Sequence, residues 1–148
     1  MKRIVAAVDG SASSLKAVDL AADLAGKYEA ELVLVTVERE IAPVISEEVR
    51  AYARAEHIVD LTSDPGFAAA ENVVAGARLT AQAKGAPRVL TEVGAGDPAE
   101  AIIALDKERN ADLIVIGSRG HGRLVGLMLG SVAQKVLAHA SCPVLVVR

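Results

Sequence analysis

Short runs of aliphatic and β-branched residues, alternating with stretches of helical spacing, constrain this chain more than any other feature. The runs are residues 3–8 (RIVAAV), 31–37 (ELVLVTV), 112–116 (DLIVI) and 142–147 (CPVLVV), and a half-polar run lies at 88–93 (RVLTEV). Runs of this length bounded by turn residues read as strands. After the first, Leu15, Val18, Leu20, Ala21, Ala22 and Leu24 recur at roughly helical spacing behind a cap at Ser11 or Ser13. Residues 38–45 read as loop. Helical character runs from Ser46 to about Leu61 and again from Pro65 to about Lys84, as two helices or as one kinked helix. Asp97 with Pro98 opens a helix over 98–109, and Ser131, itself a helix cap, begins another that runs to about His139. Strands alternating with helices predict an α/β three-layer sandwich around a parallel sheet. The runs centred on residues 5 and 115 are the most apolar and belong in the middle; the half-polar 88–93 run belongs at an edge. The sheet order 3-2-1-4-5 satisfies both, as a single domain over residues 1–148.

Composition excludes several classes of function. With 52% apolar residues among 148, the chain is too hydrophobic to be disordered, and about two-thirds of its unfolded surface goes inside on folding. No apolar run approaches the roughly 18 residues of a membrane span, and no leader-like core follows Met1, so the expected location is cytoplasmic. A net charge of −3 and 2% aromatic residues disfavour nucleic acid as a partner. The single cysteine, Cys142, forms no internal disulfide and reads as a packed, inert thiol.

A parallel sheet of this order puts its ligand crevice at the C-terminal strand ends where the winding reverses, between the first and fourth strands. Two loops meet there. One is Asp9-Gly10-Ser11. The other spans 117–131, carries glycines at 117, 120, 122, 126 and 130, and runs into a helix start. Glycine lets backbone N–H groups approach an anion, and a helix start adds donors and a favourable dipole. Arg119, His121 and Arg123 bring cationic character. The expected occupant is an anion with several oxygens, such as a nucleotide phosphate. Two familiar phosphate fingerprints do not carry this reading. No Gly-Lys-Ser/Thr occurs, so the Walker pattern is absent. Gly94-x-Gly96-Asp97-Pro98-Ala99 fits a dinucleotide pattern, but Asp97 would set a carboxylate against pyrophosphate and Pro98 lacks an N–H; the segment reads as a turn and cap.

The spacing Gly117-x-x-Gly120, nine residues, Gly130-Ser131 resembles the G-2x-G-9x-G-S/T signature of the ATP-binding branch of the universal stress protein family. Val8-Asp9-Gly10-Ser11, Gly94-x-Gly96-Asp97-Pro98-Ala99 and Cys142-Pro143-Val144-Leu145-Val146-Val147 resemble that family in the same order, and only 39–87 lacks a motif. The resemblance implies a flavodoxin-like (Rossmann-like) fold and a homodimer joined through the last strand, 142–147. It also implies bound ATP, or ADP or AMP, with Mg or Mn accompanying the phosphates. On that resemblance Gly117, Gly120 and Gly130 cradle phosphates through backbone N–H groups, helped by the Ser131 hydroxyl and the Val132 N–H, with Arg119 in the same loop. Asp9 faces the ribose or a phosphate-bound metal ion. Ala7, Val37 and Ile116 line the adenine pocket.

Three functions are compatible with these residues. The leading one is a nucleotide-binding regulatory protein with little turnover, because no general base or carboxylate pair is evident. A slow ATPase, or an enzyme cleaving ATP at its α-phosphate, would have only Asp9, His121 and Ser131 to work with. A nucleotide-free interaction protein is the third, and the intact Gly117, Gly120, Gly130 and Ser131 set speaks against it.

Overall fold

A computed structural model describes residues 1–39, 65–121 and 128–148. Its elements are β1 (Arg3–Ala7), α1 (Ala12–Tyr28), β2 (Glu31–Glu38), α2 (Pro65–Ala83), β3 (Arg88–Ala95), α3 (Pro98–Arg109), β4 (Leu113–Gly117), α4 (Ser131–His139) and β5 (Val144–Val147). The strands form one parallel sheet in the order β3-β2-β1-β4-β5. The sequence order 3-2-1-4-5 is therefore the observed one. The helical stretch expected over 46–61, and its junction with Pro65, lie outside the described residues.

The sheet is covered on both faces because alternate side chains of its central strands are apolar in both directions. Ile4, Ala6, Leu32, Leu34 and Val115 pack with α1 and α2. Val5, Val33, Val35, Ile114 and Ile116 pack with α3 and α4. The edge strand β3 has only Val89 fully buried, in keeping with its polar sequence. Among the described residues no helix is long and apolar enough to cross a membrane.

Several boundaries differ from the sequence expectation, for identifiable reasons. β3 runs two residues further, through Gly94 and Ala95, because β2 continues to Glu38 and supplies ladder partners as far as Glu38↔Ala95. β5 begins at Val144 rather than Cys142, since its register with β4 starts at Ile114↔Val144. On α1, Leu15 and Leu20 face outward, 47% and 36% exposed, while Ala17, Val18, Ala21, Ala22 and Ala25 are buried. Small alanines bring the helix close to the sheet, and the leucines flank that stripe. α1 begins where Ser11 accepts from the Ser14 N–H, and α3 begins where Asp97 accepts from the Glu100 N–H at 2.9 Å.

Two contacts tie the ends of this sandwich together. Asp106, buried on α3, accepts from the Ser141 N–H and hydroxyl, both at 2.7 Å, and so fixes the turn that launches β5. At the opposite end, Gly117 of β4 lies against α1. A Cβ there would meet the Ser13 Oγ at 2.6 Å, the Ser14 N at 2.8 Å and the Ser13 carbonyl carbon at 2.9 Å. Two of those three atoms are backbone, so the methyl has nowhere to go without moving a helix start.

Gly117→Ala is therefore expected to lower unfolding free energy by about 1–3 kcal/mol, as overpacked sites do; chemical denaturation measures this, and a change under about 0.5 kcal/mol would contradict it. A second expectation concerns Cys142. Burial, then the neighbouring Asp106 carboxylate, pushes its thiol from the usual 9.0 up to about 12. Below pH 9 the thiol is protonated in both native and unfolded chains. Between about 9 and 12 the unfolded chain releases that proton first, so this group's contribution to stability is lost as pH rises. Alkylation of native protein at pH 8 should be much slower than of unfolded protein; equal rates would show an accessible, ordinary thiol.

Candidate functional site

The site starts at the end of β1. Gly10 has φ +82°, a left-handed turn that glycine adopts without strain. Asp9 stabilises the turn by accepting the Ser11 N–H at Oδ1, 2.9 Å. The turn role and the cavity-facing role of Asp9 coexist, because its Oδ2 lies on the Gly120 side, where a Cβ on residue 120 would come within 2.8 Å.

The chain leaving β4 is clasped to this turn. The Ser13 hydroxyl donates to the Arg119 carbonyl at 2.6 Å, and the Ser11 hydroxyl donates to the same oxygen at 3.3 Å. His121 Nε2–H donates to the Asp9 carbonyl. The Ser118 N–H donates to Val147 on β5 at 2.7 Å, and the Gly130 N–H donates to Ser118 at 2.7 Å. These bonds fix residues 117–121 and return the chain to the start of α4. Gly122, Arg123 and Gly126 of the glycine loop lie outside the described residues.

Among the described residues, three helices show their N-caps at this edge of the sheet, α1, α3 and α4, and of these three α4 alone starts without a capping side chain. α1 is capped by Ser11, and the Arg119 backbone lies against it. α3 is capped by the Asp97 carboxylate, whose pKa is held below its usual range by the Glu100 N–H and then by Lys135. The N-cap of α4 is Gly130, in extended conformation, and no side chain caps it among the described residues. Ser131 is therefore the first residue of the helix and not its cap, which corrects the sequence reading. A glycine at that position leaves the first-turn N–H groups of Ser131, Val132 and Ala133 without a capping side chain among the described residues.

A cavity of about 630 Å³ opens over these donors. That is an ordinary size for a small-molecule site. All ten residues expected from sequence line it. Gly117, Arg119, Gly120, Gly130, Ser131 and Val132 form the donor-rich end, with Asp9 beside them. Ala7, Val37 and Ile116 form an apolar end together with Val35 and Ile102. Ile116 is a core residue as well, almost fully buried.

Other lining residues were not read from sequence. Ala69, Ala70 and Val73 bring α2 over the cavity as a wall. Their small side chains carry no chemical signature, and only the packing of α2 on α1 and β2 places them. Thr36, Glu38 and Arg39 enter because β2 overruns β1. That overrun matters chemically. The ladder of β1 and β2 ends at Ala7↔Val35, and the Val35 carbonyl accepts from the Val8 N–H. Main-chain groups of a parallel strand alternate in direction, so Val37 turns its N–H and C=O to the same side as Val35, beyond the last β1 ladder partner. A donor and an acceptor there address the apolar end of the cavity.

Comparison with known proteins agrees with this architecture. The family model for the universal stress protein family matches residues 1–148. The universal stress protein YxiE of Bacillus subtilis is 36% identical over 146 residues, covering 99% of this chain and 98% of the relative. Among solved structures, the universal stress protein UspA from Lactobacillus plantarum superposes with a TM-score of 0.81 at 26% identity, covering 99% of this chain and 97% of the other. A universal stress protein in complex with cAMP superposes with a TM-score of 0.75 at 32% identity, with the same coverage. Matched by the family model along its whole length and carrying the UspA-type parallel sheet, the chain belongs to the universal stress protein family.

Proposed function

We propose that this protein binds an adenine nucleotide (ATP, or ADP or AMP) in the cavity between β1 and β4, and holds it with little turnover as a stress-response regulator. The observation that carries the reading is the uncapped start of α4 opening into a cavity whose far end is apolar and edged by the Val37 main chain. Phosphate oxygens fit the Ser131 and Val132 N–H groups and the Ser131 hydroxyl. A base fits between Ala7, Val37 and Ile116, with Val37 offering one donor and one acceptor to its edge. Asp9 Oδ2 faces the ribose or an Mg or Mn ion carried by the phosphates, which would supply charge neutralisation there. The solved relative with bound cAMP supports adenine as the base.

Little turnover is part of the reading because the site shows no carboxylate pair among the described residues, and its candidate bases, His121 and Asp9, each have one atom held by the fold. His121 gives its Nε2–H to Asp9, and Asp9 gives Oδ1 to Ser11. The reading also includes a second copy of the chain paired across β5. All four residues of β5 are only half-buried, and β4 is its neighbour on one side of the sheet; an unpaired apolar edge is a liability that pairing removes. The cytoplasm is the compartment that goes with the reading.

Ser131→Pro is the test. Proline is well suited to the first residue of a helix, and Gly130 before it is already extended, so the fold should persist. The substitution removes one N–H and the hydroxyl from the cavity. Calorimetric titration should show saturable ATP binding to the wild type, weakened about tenfold or more in Ser131→Pro, the scale of a charge-assisted hydrogen bond. Phosphate release should not exceed the buffer rate. No binding to the wild type at millimolar ATP would overturn the reading.

A further inference from the structure

A smaller cavity of about 330 Å³ adjoins the first and shares Arg39, Pro98, Ser131 and Val132 with it. Asp97 and Lys135 complete its charged wall. The start of α3 thus brings a carboxylate beside the donors of α4, and Glu100 stands one turn further along α3. Lys135, on the second turn of α4, donates to Glu100 Oε1 at 2.9 Å and to Asp97 Oδ1 at 3.4 Å. The lysine reaches across the junction of the two helices and takes hold of both acidic groups.

As a fold-stabilising device this cluster would achieve little. The Lys135 side chain is 39% exposed and that of Glu100 72%, and ion pairs so exposed contribute little to stability. Its position gives it a different consequence. An anion at the Ser131 and Val132 N–H groups shares the smaller cavity with Asp97, and Glu100 stands one turn behind that carboxylate, so each added phosphate charge is repelled by the acidic pair. Lys135 offsets that repulsion at its source. The Glu100 hydrogen bond holds its ammonium above the usual lysine range, so the charge is present throughout the neutral range.

We propose that Lys135 is a specificity-determining residue of the cavity: by holding the Asp97 and Glu100 carboxylates it screens them from the start of α4, so that the site takes nucleoside di- and triphosphates in preference to monophosphates. The inference rests on the nucleotide reading above and adds to it the ligand's phosphate number. Lys135 acts on the ligand through charge, so the effect depends on how many phosphates the ligand carries. A merely structural role would affect every nucleotide alike.

The experiment compares AMP, ADP and ATP by calorimetric titration at low ionic strength on wild type, Lys135→Met, Lys135→Arg and the double variant Lys135→Met/Glu100→Gln, with thermal unfolding of each as the folding control. In Lys135→Met the ratio of ATP to AMP affinity should fall about fivefold, two- to threefold for each added phosphate, the scale of water-screened charges several ångströms apart. Lys135→Arg should keep the wild-type ratio, and the double variant should regain most of it because one of the unscreened carboxylates is gone. An unchanged ratio in Lys135→Met, an equal loss for all three nucleotides, or no recovery in the double variant would overturn the proposal. A wild type that binds none of the three overturns the nucleotide reading itself, and this inference with it, before any variant is measured.

Discussion

The close approach of β4 to the start of α1 is the constraint on which the rest of the site depends. Gly117 lies so near Ser13 and Ser14 that a methyl group cannot stand between them. That proximity lets the Ser13 and Ser11 hydroxyls reach the Arg119 carbonyl, which in turn sets the course of residues 118–121. The Ser118 carbonyl then accepts the Gly130 N–H, and α4 begins at a defined place with its first N–H groups aimed at the cavity. The glycines of the 117–130 signature thus differ in their tasks. Gly117 is needed for helix–strand packing, Gly120 for the approach of Asp9, and Gly130 as a cap that leaves the helix donors unclaimed.

Capping chemistry sorts the starts of α1, α3 and α4, the helices at this edge whose caps are described. A serine on α1 and an aspartate on α3 occupy their own helix termini, so an anionic ligand finds no opening at either. Glycine caps through its backbone conformation alone, and the dipole and donors of α4 remain available. The aspartate cap of α3 lies close to the cavity and carries a counter-charge in Lys135 of α4.

Much of this was legible in the chain itself. The apolar runs at 3–8 and 112–116 gave the central strands because only a strand covered on both faces tolerates so little alternation. Asp97 and Pro98 announced the start of α3 by local chemistry, and the cap hydrogen bond to the Glu100 N–H has that origin. Strand order located the crevice and the two loops that meet in it, whereas the ten expected residues, Ala7 and Val37 among them, could be named only through the resemblance to the universal stress protein signature. What sequence hid depends on distance between elements. Ser131 looks like a cap by type, yet the return of the chain to Ser118 gives the cap to Gly130. Leu15 and Leu20 look like core by hydropathy, yet a stripe of alanines wins the sheet-facing position because it allows closer packing. The α2 wall of Ala69, Ala70 and Val73 has no local signature, since small apolar residues are common in any helix.

The central claim is that the open start of α4 and the overrun end of β2 hold opposite ends of one nucleotide. An amide-resolved NMR titration with ATP reads both ends at once. The account predicts saturable shifts that share one dissociation constant at the N–H groups of Ser131, Val132 and Val37, with the Glu100 and Ser14 amides, already capped by side chains, changing far less. Shifts confined to other elements, or shifts at Ser131 without any at Val37, would contradict it.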